Sequence, residues 1–113
     1  MDLQSLIDFG MTKTEAKIYI ELVKLGQTQI GLIIKHTGLH RGTVYNSINS
    51  LIKKGFVSFI DKNGARYYTC SGEKVFENLI KEKKNKLEEN KKQIDNLFED
   101  ISKIKQNENQ EVQ

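Results

Sequence analysis

The sequence contains no proline and a single cysteine in 113 residues. A lone thiol, Cys70, cannot close an internal disulfide or furnish a cysteine-rich zinc site. It is expected to be a partly buried small residue, with pairing of two Cys70 thiols across a dimer as the lesser alternative. No stretch of 18 consecutive apolar residues occurs, so no membrane-spanning helix is expected. The first ten residues, MDLQSLIDFG, carry acid and no basic n-region, which argues against a secretory signal and for a cytoplasmic address. Histidine is scarce too. His36 and His40 have no acidic or cysteine cluster near them in sequence, so no metal site is expected. Nothing resembles a glycine-rich phosphate loop or a nucleophile with its base. Neither an enzyme nor a cofactor is therefore expected. What remains, 37% apolar and 29% charged residues, suits one modest core with a charged surface.

The most informative stretch is residues 28–55, TQIGLIIKHTGLHRGTVYNSINSLIKKG. Its first half, about Gln29 to Thr37, places Ile30, Ile33, Ile34 and Thr37 at the i, i+3, i+4, i+7 spacing of an amphipathic helix. Gly38 stops that helix, Leu39 follows as an apolar plug, and a second helix is expected from about His40 to Lys54. Its inner face is Val44, Ile48, Leu51 and Ile52. The outer face, Arg41, Gly42, Thr43, Tyr45, Asn46, Asn49 and Lys53, is rich in hydrogen-bonding groups. Two helices around a glycine turn, with donors and acceptors at the start of the second, have the form of a helix-turn-helix reader of DNA.

Upstream, residues 2–9 read as a short helix covering the core. Thr12 and Glu15 then fit a capping box, opening a helix over about 13–25 with Ala16, Tyr19, Ile20 and Val23 on its apolar face. Gly26 closes it, and Thr28 is expected to cap the next helix. Downstream of Gly55 the apolar period changes from about 3.6 to 2. Phe56, Val57, Phe59 and Ile60 make one strand and Ala65 to Thr69 another, joined by a turn over 61–64 with an Asn-Gly pair. A hairpin directly after a recognition helix is a wing. Lys62 and Asn63 stand at its tip and Arg66 on its returning strand.

Charge follows the same division. Residues 1–72 hold nine Lys/Arg against five Asp/Glu, whereas 73–113 hold nine against ten. Within 35–66 there are six bases (Lys35, Arg41, Lys53, Lys54, Lys62 and Arg66) and one acid, Asp61. Positive charge gathers on the proposed reader, as phosphate binding requires.

From Glu73 to Lys105 there is neither glycine nor proline, so one long helix is expected. Ile80, Leu87, Ile94 and Ile101 recur every seven residues, and Leu97 and Ile104 occupy the d positions of that register. Lys83 and Asn90 hold the two earlier d positions, and Phe98 widens the later part. A helix of some 30 residues spans about 45 Å, more than a small core can cover. Pairing of two chains, parallel or antiparallel, is therefore favoured over packing back on its own domain. Residues 106–113 are polar and aperiodic, and disorder is expected there.

Together these readings give a mainly α fold with a small β-hairpin. A winged helix-turn-helix domain (1–72) precedes a long dimerisation helix (73–105) and a tail (106–113). The expected partner is promoter or operator double-stranded DNA, bound by a homodimer at the nucleoid. Arg41 is placed to contact guanine O6 and N7, with a phosphate clamp nearly as well supported. Asn46 would read adenine. Thr43 and Tyr45 would meet phosphate or a thymine methyl, with Tyr45 as a prop for the wing the alternative. Gly42 permits close approach to the sugar-phosphate chain, and Lys53, Lys62 and Arg66 are assigned to phosphates. A winged-helix protein adaptor and a non-specific architectural DNA binder are the alternatives.

GMTKTEAKIYIELVKLG (10–26), TGLHRGTVYNSINSLIKKGFV (37–57) and KNGARYY (62–68) together resemble the N-terminal domain of TrmB-like transcriptional regulators of archaea. The resemblance runs over roughly residues 3–105. It is most specific in T-x-x-E-A-K-I-Y and H-R-x-T-V-Y. It implies a winged-helix fold, a coiled-coil helix after the wing, dimerisation and regulation at promoters. Family members typically continue into a sugar-sensing domain, and this sequence ends after the helix, so no sugar effector is carried over. Ile34 stands where many helix-turn-helix units place alanine, and its bulk is expected to widen the helix crossing.

Overall fold

A computed structural model describes residues 1–112, with side chains through residue 108. The chain divides into a unit of residues 1–75 and a second unit from Phe76 onward. In the first unit the order is α1 (Leu3–Asp8), α2 (Lys13–Leu25), α3 (Ile30–Thr37), α4 (Arg41–Lys53), β1 (Val57–Lys62) and β2 (Ala65–Cys70). The second consists of the helix α5 (Lys74–Val112), whose first residues belong to the first unit.

Helix α2 is the hub, packing against α1, α3, α4 and β2. It starts as a capping box: Thr12 Oγ1 accepts from the Glu15 amide at 3.1 Å, and Glu15 Oε1 accepts from the Thr12 amide at 2.8 Å. Its buried stripe is Glu15, Ile18, Tyr19 and Leu22, with Ala16 beside it. This corrects the apolar face expected from the sequence, because Val23 is exposed and Ile20 half-buried. The rotation has a cause. Glu15 is drawn inward by its cap and by Lys54, so the stripe runs from residue 15 in steps of three and four.

Gly38 terminates α3 in the left-handed conformation, φ +70°, which glycine adopts without Cβ strain. Thr37 Oγ1 donates to the Ile33 carbonyl at 2.7 Å and accepts from the Leu39 amide at 3.4 Å, closing the turn. Helix α4 then buries Val44, Ile48 and Leu51. Phe56, just beyond it, is enclosed and meets Tyr19 edge-on with ring centroids 6.2 Å apart. Such an aromatic pair is worth about 0.5–1.5 kcal/mol beyond its buried area.

The hairpin pairs β1 and β2 antiparallel from Val57↔Cys70 to Lys62↔Ala65. The turn is tighter than the four residues expected. Only Asn63 and Gly64 lie between the strands, with φ +53° and +78°, the signs that a type I′ turn requires. Thr28 does not cap α3, contrary to expectation: the cap position is Gln29, which makes no side-chain cap bond. Instead the Thr28 amide donates to the Tyr68 carbonyl at 2.9 Å and its carbonyl accepts from the Tyr68 amide at 2.7 Å. Both main-chain groups of Thr28 are spent on extending the hairpin by one bridge.

Helix α5 comprises 39 residues, about 58 Å by rise alone. It continues past Lys105, where the sequence reading ended it, because QNENQEV contains no glycine or proline to stop it. Of the tail expected at 106–113, residue 113 lies outside the described residues.

Candidate nucleic-acid interface

The outer face of α4 is built by helical spacing. Gly42, Asn46, Asn49 and Lys53 follow one another at steps of four, three and four, with Arg41 and Tyr45 alongside, and every one is exposed. The opposite face holds Val44, Ile48 and Leu51 in the core, so burial fixes the rotation that turns Arg41, Thr43, Tyr45 and Asn46 outward. His40 precedes the helix in extended conformation without a side-chain cap bond. The helix therefore begins with uncapped amide donors and Arg41 in its first turn, an electropositive end by its own dipole.

The six bases between residues 35 and 66 are not equivalent. Arg41, Lys53 and Lys62 have no ion-pair partner among the described residues. Lys54 is committed inside the domain. Its Nζ reaches Glu15 Oε1 at 2.8 Å and the Gly10 carbonyl at 2.9 Å. It thus ties the end of α4 to the start of α2 and is not free for phosphate. Burial alone would raise the Glu15 carboxyl. The Lys54 ammonium and the hydrogen bond from the Thr12 amide, with the Ser50 and Thr12 hydroxyls nearby, outweigh that and hold it at about 2.

Arg66 is held differently. Its Nε donates to Asp61 Oδ1 at 2.8 Å and its Nη2 to Asp61 Oδ2 at 3.2 Å. Its guanidinium also lies 3.9 Å from the centroid of the Phe59 ring. Asp61 and Arg66 are cross-strand partners, so this contact was readable in the sequence once the Asn63-Gly64 turn set the register. The hydrogen bonds from Arg66 hold the exposed Asp61 carboxyl below its usual range. Lys62 and Asn63 stand exposed at the wing tip, as the sequence reading has them.

Cys70 is half-buried, with its Sγ 3.9 Å from the Tyr19 carbonyl. Burial pushes its thiol up to about 11, which leaves it protonated and poorly nucleophilic at neutral pH. Among the described residues no group of three or more His, Cys, Asp or Glu could hold a metal ion. No described helix is long and apolar enough to cross a membrane.

On α5, Ile80, Leu87, Ile94, Leu97, Phe98, Ile101 and Ile104 are all exposed in the single chain. Ile94, Leu97, Phe98 and Ile101 form one exposed apolar cluster on this helix. The apolar residues lie closest together from Ile94 to Ile104, whereas Lys83 and Asn90 separate Ile80, Leu87 and Ile94 along the same register.

Helix-turn-helix and following hairpin together define a winged helix-turn-helix protein. The family described as "Sugar-specific transcriptional regulator TrmB" matches residues 6–73, and the chain belongs to that family. Over 99 residues it is 30% identical to the "HTH-type sugar sensing transcriptional regulator TrmBL1" of Pyrococcus furiosus. That match covers 88% of this chain but only 29% of the relative. Among solved structures it is similar to TrmBL2, described as an archaeal chromatin protein with a novel mode of DNA binding. There the TM-score is 0.74 at 21% identity, covering 88% of this chain and 38% of that one. It is similar also to a protein of the thermoacidophilic archaeon Sulfolobus tokodaii, with TM-score 0.60 and 25% identity over 77% of this chain and 97% of the other.

Proposed function

We propose that this chain is a sequence-specific regulator of transcription that binds double-stranded DNA as a homodimer, in the cytoplasm at the nucleoid. Helix α4 enters the major groove, and the hairpin rests on the backbone or in the minor groove. The observation that carries this reading is the outer face of α4. Its core side is sealed by Val44, Ile48 and Leu51, while Arg41, Thr43, Tyr45 and Asn46 stand exposed together at the start of the helix that follows the turn.

Roles follow from chemistry. Arg41 offers a planar fork for guanine O6 and N7, and Asn46 an amide suited to adenine N6 and N7. Thr43 and Tyr45 meet phosphate or a thymine methyl. Lys53, Lys62 and Asn63 fix the protein on the backbone, a positioning role that carries no sequence information. The pairing of two copies runs through the apolar stripe of α5, from Ile80 to Ile104. Family membership and the regulator TrmBL1 support the regulatory role. Sugar sensing belongs to the name of that longer relative, and no sugar is assigned here.

The test is a fluorescence-anisotropy titration of the gene's own upstream DNA against a scrambled duplex at two salt concentrations. A preference of about a thousandfold at physiological salt is the expected result. Equal and steeply salt-dependent binding would mark an architectural DNA binder instead. No binding to either duplex at low salt would replace the reading with that of a protein adaptor.

A further inference from the structure

Successive strand residues alternate between faces, so Phe59 and Asp61 share one face of the hairpin with Arg66 and Tyr68. On that face Arg66 is held two ways. Asp61 Oδ1 and Oδ2 accept from its Nε and Nη2 at 2.8 and 3.2 Å, and the Phe59 ring lies with its centroid 3.9 Å from the guanidinium carbon. A guanidinium carries five N–H donors in a rigid plane. The grip of Asp61 is side-on, through Nε and the adjacent hydrogen of Nη2. The end of the fork, formed by Nη1 and the outer hydrogen of Nη2, is directed away from the carboxylate. Both partners remain open to solvent, with side-chain exposures of 48% for Arg66 and 62% for Asp61.

We infer that Asp61 is a specificity-determining residue, which positions Arg66 so that its end fork makes a directional contact with one acceptor pair on DNA. The inference rests on the DNA-binding reading above. An unpaired wing arginine is a mobile cation that any phosphate satisfies. Held flat by Asp61 and Phe59, the same arginine meets an acceptor only where the DNA presents one in the plane of its fork. The carboxylate has a second effect of the same sense. Its negative charge opposes the approach of phosphate generally, so it penalises every duplex, and the penalty is offset only where the fork is engaged. Asp61 is the one acid among residues 35–66, and as the cross-strand partner of Arg66 it spends its carboxylate on the wing's arginine.

The charge effect and the positioning effect have different signatures. Removing a negative charge tightens binding to all sequences alike, whereas loss of positioning weakens only the sequence that uses the fork. The experiment uses the full chain and two probes: a duplex enriched from a random library by the wild-type protein, and a scrambled duplex of the same composition. Asp61→Ala is expected to tighten binding to the scrambled duplex while the ratio of the two affinities falls about tenfold, within what one bidentate arginine contact contributes to discrimination. Asp61→Asn keeps one acceptor and is expected to fall between wild type and Asp61→Ala. Arg66→Lys keeps the charge without the fork and is expected to lose the same discrimination. Asp61→Ala on that background should then change both duplexes equally. Far-UV circular dichroism and thermal melts confirm that each variant is folded. An unchanged ratio for Asp61→Ala, with both affinities shifted together, would overturn the inference and leave the DNA-binding reading standing. Failure of the wild type to enrich or bind any duplex at low salt would end both.

Discussion

Lys54 Nζ sits 2.8 Å from Glu15 Oε1, joining residues 39 apart in sequence, and the carboxylate it meets is only 2% exposed. The same oxygen closes the capping box of α2, and the same ammonium reaches the Gly10 carbonyl. One ion pair therefore caps one helix, ties down the end of another and holds the turn before α2. Removing the lysine leaves a buried carboxylate without its counter-charge. Breaking such a pair by removing one partner is destabilising because it leaves the other charge buried and uncompensated. Lys54→Met is expected to destabilise the domain by roughly 2–3 kcal/mol. Urea denaturation followed by circular dichroism checks this, with an unchanged slope locating the effect in the folded state.

The pH dependence has a definite sign. The folded-state value of about 2 for Glu15 lies below the 4.5 of an unperturbed carboxyl, so the unfolded chain takes up this proton first. The stabilisation is complete above about pH 4.5 and is lost as pH falls from there towards 2. The difference corresponds to roughly 3 kcal/mol. Urea midpoints measured from pH 6 to pH 3 should fall in wild type, and Glu15→Gln should flatten that fall while lowering the plateau. Parallel curves for the two proteins would exclude Glu15 as the source.

Much of this fold was legible in the sequence because local signals agreed with the tertiary outcome. The change of period after Gly55 marks the hairpin, Thr12 and Glu15 mark the start of α2, and Gly38 marks the turn between α3 and α4. What was not legible depends on partners distant in sequence. Hydrophobicity places Val23 inside and Glu15 outside. The cap at Thr12 together with Lys54, brought in by the packing of α4 on α2, draws Glu15 inside. Thr28 reads as a cap until Tyr68, forty positions later, claims both its main-chain groups. The outward face of α4 was legible as soon as its core stripe was, since one face determines the other. The uneven state of the bases was not, although the turn register alone would have paired Asp61 with Arg66.

Gly42 offers a test of how near the DNA backbone comes to α4. A Cβ built there meets nothing within 4 Å, and its φ is not positive, so alanine fits the free protein without strain. Gly42→Ala should stabilise the domain by about 0.5–1 kcal/mol through helix propensity alone. If the helix start lies against the sugar-phosphate chain, the same variant binds DNA more weakly than wild type. Thermal melts and anisotropy titrations on one preparation read both quantities. Gains in stability and in affinity together would show that nothing approaches closely at this position.

In the proposed function, Arg41 and Lys62 separate reading from positioning. Arg41→Ala is expected to cost about 1–3 kcal/mol on the preferred duplex and to relax preference at one base pair. Lys62→Ala is expected to weaken every sequence by a similar factor and to reduce the salt slope by about one. Affinities across a panel of single-base variants at several salt concentrations distinguish them. Uniform losses for Arg41→Ala would reassign that residue to a phosphate.

The apolar stripe of α5 is uneven, and the unevenness makes the last prediction specific. Leu97, Phe98, Ile101 and Ile104 crowd the later half, while Lys83 and Asn90 interrupt the earlier half of the same seam. The association energy of two copies should therefore reside mainly beyond Asn90. Leu97→Asp, which would place a charge in that seam, should convert the proposed dimer to single chains in sedimentation equilibrium. Leu87→Asp, flanked by polar layers, should weaken it less. Each chain keeps its reader when the dimer is lost, so DNA affinity should fall by the lost second contact while preference within one half-site survives. Asn90→Ile should act in the opposite direction. It should raise the melting temperature of the assembly and loosen its stoichiometry, because a polar residue in a seam selects one register and one oligomeric state at a cost in stability. A wild-type chain that sediments as a monomer at all concentrations would remove the stripe from the dimer and require another occupant for it.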